Sequence, residues 1–152
     1  MTTDNQKIVT LSQYPTPAWA AAAIVRKKHG NLTARDYVVE PTCGRGRFLQ
    51  AIPSYVPAVG YEIDPVEAQL ARDLTGRRVI TGDIFDAVFE ERPTVVLGNP
   101  PFETKFVELL LDHMHDVLID NGVVGFILPA YLMQTAGRVC RYNEQWSLEQ
   151  EM

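Results

Sequence analysis

Short apolar runs, each suited to a buried strand, recur along the chain between segments with helical periodicity. In one such segment, 103–120, apolar residues recur at i, i+3, i+4, i+7 and i+11 on one face: Val107, Leu110, Leu111, Met114 and Leu118. This spacing predicts an amphipathic helix. The apolar runs that predict strands lie at 37–40, 58–64, 77–83, 94–99 and 122–130.

Three further helices are predicted before and between these strands. The first takes Thr16 as its N-cap and Pro17 as its first helical residue. A brief helix is expected around 47–52, and Asp64 with Pro65 caps and starts the third. Apolar strands that alternate with helices predict an α/β fold, in which helices cover both faces of a parallel sheet.

The composition fits one domain, and we expect residues 1–152 to form it. The chain has 46% hydrophobic and 22% charged residues, a balance typical of a globular protein with a substantial core. No apolar stretch approaches the ~20 residues of a membrane-spanning helix, and the amino-terminal residues 1–10 have no signal-peptide pattern. No membrane association is therefore expected, and a cytoplasmic location is predicted. Cys43 and Cys140 belong to no zinc spacing, so no metal site is predicted.

Charge and histidine positions add little support for a particular ligand. A net charge of −5 argues against binding nucleic acid by bulk electrostatics, although it does not exclude nucleic acid. Arg45 and Arg47 could contact phosphate or simply face water. His113 and His115 resemble a metal pair, but on a helix they point to different sides, so solvated positions are expected.

Acidic side chains stand where three of the predicted strands end, at the edge where open parallel sheets bind ligands. Glu40 ends the first strand, shortly before Gly44 and Gly46, which allow a tight turn and a close approach to a ligand. Glu62 ends the second strand, where a carboxylate can bond both hydroxyls of a ribose. Asp83 ends the third strand and either caps the next segment or accepts a hydrogen bond from an adenine amino group.

The glycine pattern decides between two kinds of nucleotide. A dinucleotide site carries Gly-x-Gly-x-x-Gly, but here Leu49 stands at the third position. The segment therefore lacks the small residue needed beside a pyrophosphate. A nucleoside without a diphosphate fits better, and S-adenosylmethionine is the common one.

The fourth predicted strand ends in Asn99, Pro100, Pro101 and Phe102. Two consecutive prolines can neither donate to a sheet ladder nor continue a helix, so they hold an amide and an aromatic ring on a stiff backbone. An Asn-Pro step can also simply end a strand in a turn.

In this order the segments resemble the class I S-adenosylmethionine-dependent methyltransferases, and within them the amino-methyltransferases that carry Asn-Pro-Pro-Phe. The resemblance covers roughly residues 14–130, and Asn-Pro-Pro-Phe is its most specific element. It implies a Rossmann-like methyltransferase sheet. The matching segments are YPTP at 14–17, VVEPTCGRGRF at 38–48, GYEID at 60–64, TGDIF at 81–85, GNPPF at 98–102 and GFILP at 125–129.

The resemblance also implies the cofactor S-adenosylmethionine and a role for each matching residue. Glu40 would orient the methionyl end of the cofactor, Glu62 would hold its ribose, and Asp83 would help to frame its adenine. The implied cofactor-binding set is Thr16, Pro17, Glu40, Cys43, Gly44, Gly46, Glu62, Ile63, Asp83, Ile84 and Asn99. The implied catalytic set is Asn99, Pro100, Pro101 and Phe102.

The substrate implied by the resemblance is an exocyclic amino nitrogen, most often N6 of adenine in DNA, as in restriction-modification enzymes. The target base would be flipped out of the stack and packed on Phe102. An RNA base and the amide of a protein glutamine are the alternatives. A different class of protein is also open: a cofactor-binding fragment or subunit that is inactive alone.

The residues after the fifth predicted strand are few for this family. Its members usually close the sheet with a hairpin, whereas 130–152 suffice for one helix and little more. We therefore expect a C-terminally truncated chain, or a recognition domain or subunit supplied from elsewhere, with little or no activity on DNA. The apolar run 123–128 would then be an edge strand, which predicts self-association as a homodimer.

Overall fold

The computed structural model describes residues 14–147, and within them five strands and five α-helices alternate. The strands are β1 (Val38–Glu40), β2 (Ala58–Glu62), β3 (Arg78–Thr81), β4 (Val95–Gly98) and β5 (Val123–Phe126). The helices are α1 (Ala18–Lys28), α2 (Arg47–Ala51), α3 (Pro65–Thr75), α4 (Thr104–Val117) and α5 (Ala136–Gln145). Two short 3₁₀ turns lie at Ile84–Asp86 and Ala130–Met133.

The five strands form one parallel sheet in the order β3-β2-β1-β4-β5. Val38 of β1 pairs with Ala58 of β2 on one side and with Val95 of β4 on the other. The strand order therefore reverses between β1 and β4. Ligands of open α/β sheets bind in the crevice outside the carboxyl ends of the strands at such a switch point.

Helices cover both faces of this sheet, as predicted. Val38 and Val39 are adjacent and fully buried, yet they pack into different hydrophobic clusters because successive strand side chains point to opposite faces. One cluster contains residues of three helices: Ala21 and Val25 of α1, Phe48 and Leu49 of α2, and Ala68 and Ala71 of α3. The other contains Leu110 and Met114 of α4.

The predicted start of α1 is wrong, whereas that of α3 is confirmed. Asp64 caps α3 by accepting hydrogen bonds from the amides of Val66 and Glu67. Helix α1 begins at Ala18, and Pro17 occupies the N-cap without a side-chain hydrogen bond. Thr16 makes a tertiary contact with the end of β4 instead of a cap.

Strand β5 lies at the edge of the sheet, and half of the Val123 side chain is exposed (47%). After β5, residues 127–147 contain a 3₁₀ turn and α5 but no strand. Leu132 and Tyr142 from this segment pack on α4. Among the described residues no helix has the length and apolar character needed to cross a membrane.

Candidate functional site

A cavity of about 550 Å³ lies at the carboxyl ends of β1, β2 and β4. This volume is within the usual range for sites that bind small molecules and cofactors. Residues from four separated parts of the sequence line it, among them Thr16, Pro17, Glu40, Gly44, Glu62 and Asn99. The switch point therefore brings together most of the residues that the sequence pattern assigns to a cofactor.

The loop after β1 turns tightly under this cavity. Gly44 and Gly46 have φ values of +50° and +76°, which non-glycine residues rarely adopt. A Cβ atom on Gly46 would also lie 2.8 Å from Cγ2 of Thr75 in α3. The sulfur of Cys43 packs where a Cβ on Gly60 would be, so this loop lies directly on β2. Burial raises the pKa of the Cys43 thiol, which therefore remains protonated and packs as an apolar side chain.

Glu62 ties the glycine loop to the end of β2. Its Oε2 atom accepts from the Gly44 amide at 2.8 Å, and its Oε1 atom accepts from the Asp64 amide at 2.9 Å. The side chain is buried but lines the cavity. Because each carboxylate oxygen has two acceptor sites, both oxygens can still accept a hydroxyl from a ligand.

Glu40 is a second buried carboxyl in the cavity wall. Its Oε2 atom accepts from the Leu49 amide at 3.1 Å, which fixes the first turn of α2 to the end of β1. Burial raises the pKa of this carboxyl well above its ordinary value, while hydrogen bonds from the Leu49 and Phe48 amides oppose the shift. Because α2 begins directly after Gly46, this hydrogen bond also fixes the carboxyl end of the glycine loop.

The Asn99 side chain is held in one orientation by the amino-terminal segment. Its Nδ2 atom donates to the main-chain oxygen of Tyr14 and to Oγ1 of Thr16, both at 3.0 Å. A carbonyl oxygen can only accept, so the nitrogen must face Tyr14 and the side-chain oxygen must face away. Asn99 Oδ1 is buried and has no hydrogen-bond partner among the described residues.

An acceptor of this kind requires an explanation, because leaving a buried polar atom unpaired costs about 1–3 kcal/mol. Asn99 lines the cavity, and Pro100 and Pro101 follow it on a backbone that the two rings keep stiff. The arrangement is therefore suited to a ligand that donates N–H or O–H to Asn99 Oδ1.

Phe102 follows Pro101, a residue of the cavity lining, but is not itself among the lining residues. The hydroxyl of Tyr131 donates to the main-chain oxygen of Phe102 at 2.7 Å, which fixes the loop against the segment after β5. The ring of Phe102 stacks on that of Tyr14, with centroids 5.6 Å apart and an interplanar angle of 22°. The loop that carries Asn99 is therefore followed by an aromatic pair whose other member, Tyr14, lines the cavity.

Four residues that the resemblance assigns to the cofactor are not among those that line the cavity: Gly46, Ile63, Asp83 and Ile84. Gly46 lies in the loop after β1. Asp83 accepts from the Phe85 amide at 3.0 Å and caps the first 3₁₀ turn. The Ile84 side chain is buried in a hydrophobic cluster with residues of β1, β2, β4 and α4. The Ile63 side chain is exposed beyond the end of β2.

Several residues of the site have no assigned role in the sequence pattern, and for Arg45 the pattern left contact with phosphate or exposure to water open. Thr42 lines the cavity, and its buried Oγ1 atom has no hydrogen-bond partner in the described structure. Arg45 and Glu67 form an ion pair at 3.0 Å on the cavity rim. Tyr14 belongs to a motif that the sequence does show, but only the fold places its ring on Phe102.

The histidine pair is only partly as expected. His115 is exposed, but the His113 ring packs 5.4 Å from that of Phe85, and its Nε2 atom is buried. The prediction of a solvated His113 is therefore wrong, because the segment after β3 covers this position of α4. Within residues 14–147, no group of three potential ligands could hold a metal ion.

Comparison with known proteins supports the class of fold. The sequence matches no protein-family model. It is 28% identical over 118 residues to the type II methyltransferase M.CvrRI of Paramecium bursaria Chlorella virus XZ-6E. That match covers 64% of this chain and 31% of the relative, so the chain spans about a third of the relative's length.

Solved structures match over more of their length. An RNA methyltransferase from Salinibacter ruber in complex with S-adenosyl-L-homocysteine is 22% identical, with a TM-score of 0.63, over 75% of this chain and 79% of that one. A putative RNA methyltransferase from Pyrococcus horikoshii is 21% identical, with a TM-score of 0.64, over 90% and 70%. Together with the strand order, these similarities show that the chain has the Rossmann-like class I methyltransferase fold.

Proposed function

We propose that the chain transfers a methyl group from S-adenosylmethionine to an exocyclic amino nitrogen, and that this nitrogen is N6 of adenine in DNA. The observation that carries the proposal is the buried, unpaired Oδ1 atom of Asn99 in a cavity wall, three residues before the stacked ring of Phe102. An amino group has the N–H donors that this acceptor lacks, and a base has the planar face that the ring can stack on.

The residues of the cleft fit the cofactor. Glu62 presents two fixed carboxylate oxygens for the ribose hydroxyls, and Gly44 leaves open space above the loop for a close approach. Thr42 Oγ1 is a further unpaired polar atom in the cavity wall. S-adenosylmethionine supplies an electrophilic methyl group on a positively charged sulfur.

Asn99 and Pro100 prepare the nitrogen for the reaction. The lone pair of an exocyclic amino group is delocalised into the ring, which makes the nitrogen a poor nucleophile. Asn99 Oδ1 and the main-chain carbonyl of Pro100 accept the two N–H groups, so the nitrogen moves toward tetrahedral geometry. Its lone pair would then be directed at the methyl group that S-adenosylmethionine supplies, and the methylated nitrogen would release one proton to solvent. Because the acceptors are fixed in advance, they need little reorganisation during the reaction.

The similarity to a type II methyltransferase favours DNA over the other acceptors. The two RNA methyltransferase structures favour an RNA base as the second candidate. The chain spans about a third of M.CvrRI, so we propose that the recognition of a duplex comes from a further domain or subunit. Residues 1–152 would then bind the cofactor but transfer methyl groups to DNA weakly.

Isotope transfer from labelled S-adenosylmethionine tests the proposed function. Adenine-containing DNA, RNA and a glutamine peptide are offered in parallel, each at high concentration to compensate for weak binding. We expect label in DNA above the other two acceptors, and on N6 when the nucleosides are separated. Label mainly in RNA or peptide would contradict the substrate. No melting shift with millimolar S-adenosylhomocysteine would contradict the cofactor, since ligand at 100 times its Kd should add about 2.7 kcal/mol of stability.

Self-association through β5 is a separate part of the proposal. Residues 123–126 are apolar, and no described strand pairs with the outer edge of β5, so we expect dimers at micromolar concentration. Sedimentation velocity tests this, with Val123→Lys placing a charge on the edge and Val88→Lys as a control at a more exposed position. A dimer lost only in Val123→Lys supports the proposal, and a monomeric unsubstituted chain contradicts it.

A further inference from the structure

We propose that Tyr14 and Phe102 are the two walls of a slot that receives the planar ring of the substrate between them. This inference rests on the proposed function and narrows its substrate to a nucleobase, because a glutamine side chain has no ring to fill such a slot. It gives Tyr14, a residue outside the Asn-Pro-Pro-Phe element, a direct role in binding the substrate.

The two rings already face each other. Their planes are only 22° from parallel, and their centroids are 5.6 Å apart. Asn99 donates to the main-chain oxygen of Tyr14, so the backbone that carries the Tyr14 ring is tied to the residue that would receive the amino group. In the proposed complex, a ring placed between the two walls presents its exocyclic amino group to Asn99 Oδ1.

One wall is fixed and the other is free to move. The Phe102 backbone is held by Tyr131 and by the two prolines before it. The Tyr14 side chain is 65% exposed, so few contacts oppose a change in its rotamer. A flat ring packs about 3.5 Å from each wall, so the walls must stand about 7 Å apart along the stacking direction. Outward rotation of Tyr14 can provide this space while its main-chain hydrogen bond to Asn99 remains.

Exposure supports this assignment for Tyr14. In the structure each ring covers one face of the other, and most of the Tyr14 side chain is exposed to solvent. A substrate ring between them would replace one stacking contact by two and would bury both inner faces. The gain should exceed the loss, since each base–aromatic contact contributes about 1–3 kcal/mol.

A fluorescence titration tests the slot without requiring catalysis. The probe is 2-aminopurine deoxyriboside, whose emission is quenched when it stacks on an aromatic ring. Saturating S-adenosylhomocysteine is present so that the probe cannot occupy the cofactor site. The variants are Tyr14→Ala, Tyr14→Phe and, as a matched control, Tyr55→Ala. Tyr55 is similarly exposed (61%), but it precedes β2 and so lies at the amino ends of the strands, away from the cavity at their carboxyl ends.

We expect Tyr14→Ala to weaken probe binding about ten-fold or more, while Tyr14→Phe and Tyr55→Ala bind like the unsubstituted chain. Tyr14→Ala keeps its main-chain oxygen, so the Asn99 contact and the melting shift with S-adenosylhomocysteine should be unchanged. Unchanged probe binding in Tyr14→Ala would overturn the proposal, since Tyr14 would then not contact the probe. Tighter binding would also overturn it, since the Tyr14 ring would then occupy the face of Phe102 on which the probe stacks. The absence of quenching with the unsubstituted chain would also overturn it.

The same experiment separates this inference from the proposed function. If the expected quenching pattern appears but no acceptor receives labelled methyl, the slot stands and the proposed transfer fails. If DNA is methylated with a KM that Tyr14→Ala does not change, the transfer stands and the slot fails.

Discussion

Asn99→Ala is expected to lower kcat for methyl transfer by at least ~10²-fold while cofactor binding changes little. The effect should be this large because Asn99 Oδ1 acts on the nitrogen that reacts, and loss of one preorganised partner of this kind typically costs 10² to 10³ in kcat. In the proposed site the cofactor would be held mainly at the ends of β1 and β2, by Gly44 and Glu62, which hydrogen-bond to each other. Single-turnover transfer and calorimetric titration with S-adenosylhomocysteine measure the two quantities separately.

Two matched variants show which atom of Asn99 matters. Asn99→Asp keeps an oxygen that can face the substrate, but it places the other oxygen against the Tyr14 carbonyl and Thr16. It should retain more activity than Asn99→Ala but less than the unsubstituted chain. Thr16→Val removes one acceptor of Nδ2 without touching Oδ1, so a decrease of only a few-fold is expected. Full activity in Asn99→Ala would contradict the proposed role of the acceptor.

The sheet and its functional edge could be predicted from the sequence because local patterns determine them. The runs at 58–64 and 94–99 contain β2 and β4, and the polar residues Glu62 and Asn99 lie at the carboxyl ends of these strands. Parallel strands bring these ends together whatever lies between them, so Glu62 and Asn99 could be placed in one cleft. The N-cap of α3 could also be predicted, because Asp64 followed by Pro65 is a local signal for the start of a helix.

Contacts between distant segments could not be predicted in this way. The Asn99 hydrogen bond to Thr16 joins residues 83 positions apart, and the sequence alone favours Thr16 as a helix cap. Arg77 donates to the main-chain oxygens of Ile52, Pro53 and Val56, where a charged residue at the start of a strand would otherwise be assigned to solvent. Such side chains find their partners only after the elements pack.

Glu62→Ala is expected to weaken the binding of S-adenosylhomocysteine about 10²-fold or more. The carboxylate would accept two ribose hydroxyls, and a hydrogen bond to a charged group contributes about 1.5–3 kcal/mol. The substitution also removes the acceptor of the Gly44 and Asp64 amides, so the glycine loop itself should loosen. Circular dichroism is therefore recorded first, and Glu62→Asp is included because it retains the charge on a shorter side chain.

Glu67→Ala is the matched control, since Glu67 lines the same cavity but pairs with the exposed Arg45. An ion pair at the surface contributes little to the free energy of unfolding, so the stability should change little. The Kd for S-adenosylhomocysteine should change by less than a factor of about five. Glu62→Asp should bind with intermediate affinity, because the shorter side chain cannot reach both the loop amides and the ribose. Equal Kd values for Glu62→Ala and Glu67→Ala would show that general acidity of the cleft, and not the fixed carboxylate at the end of β2, attracts the cofactor.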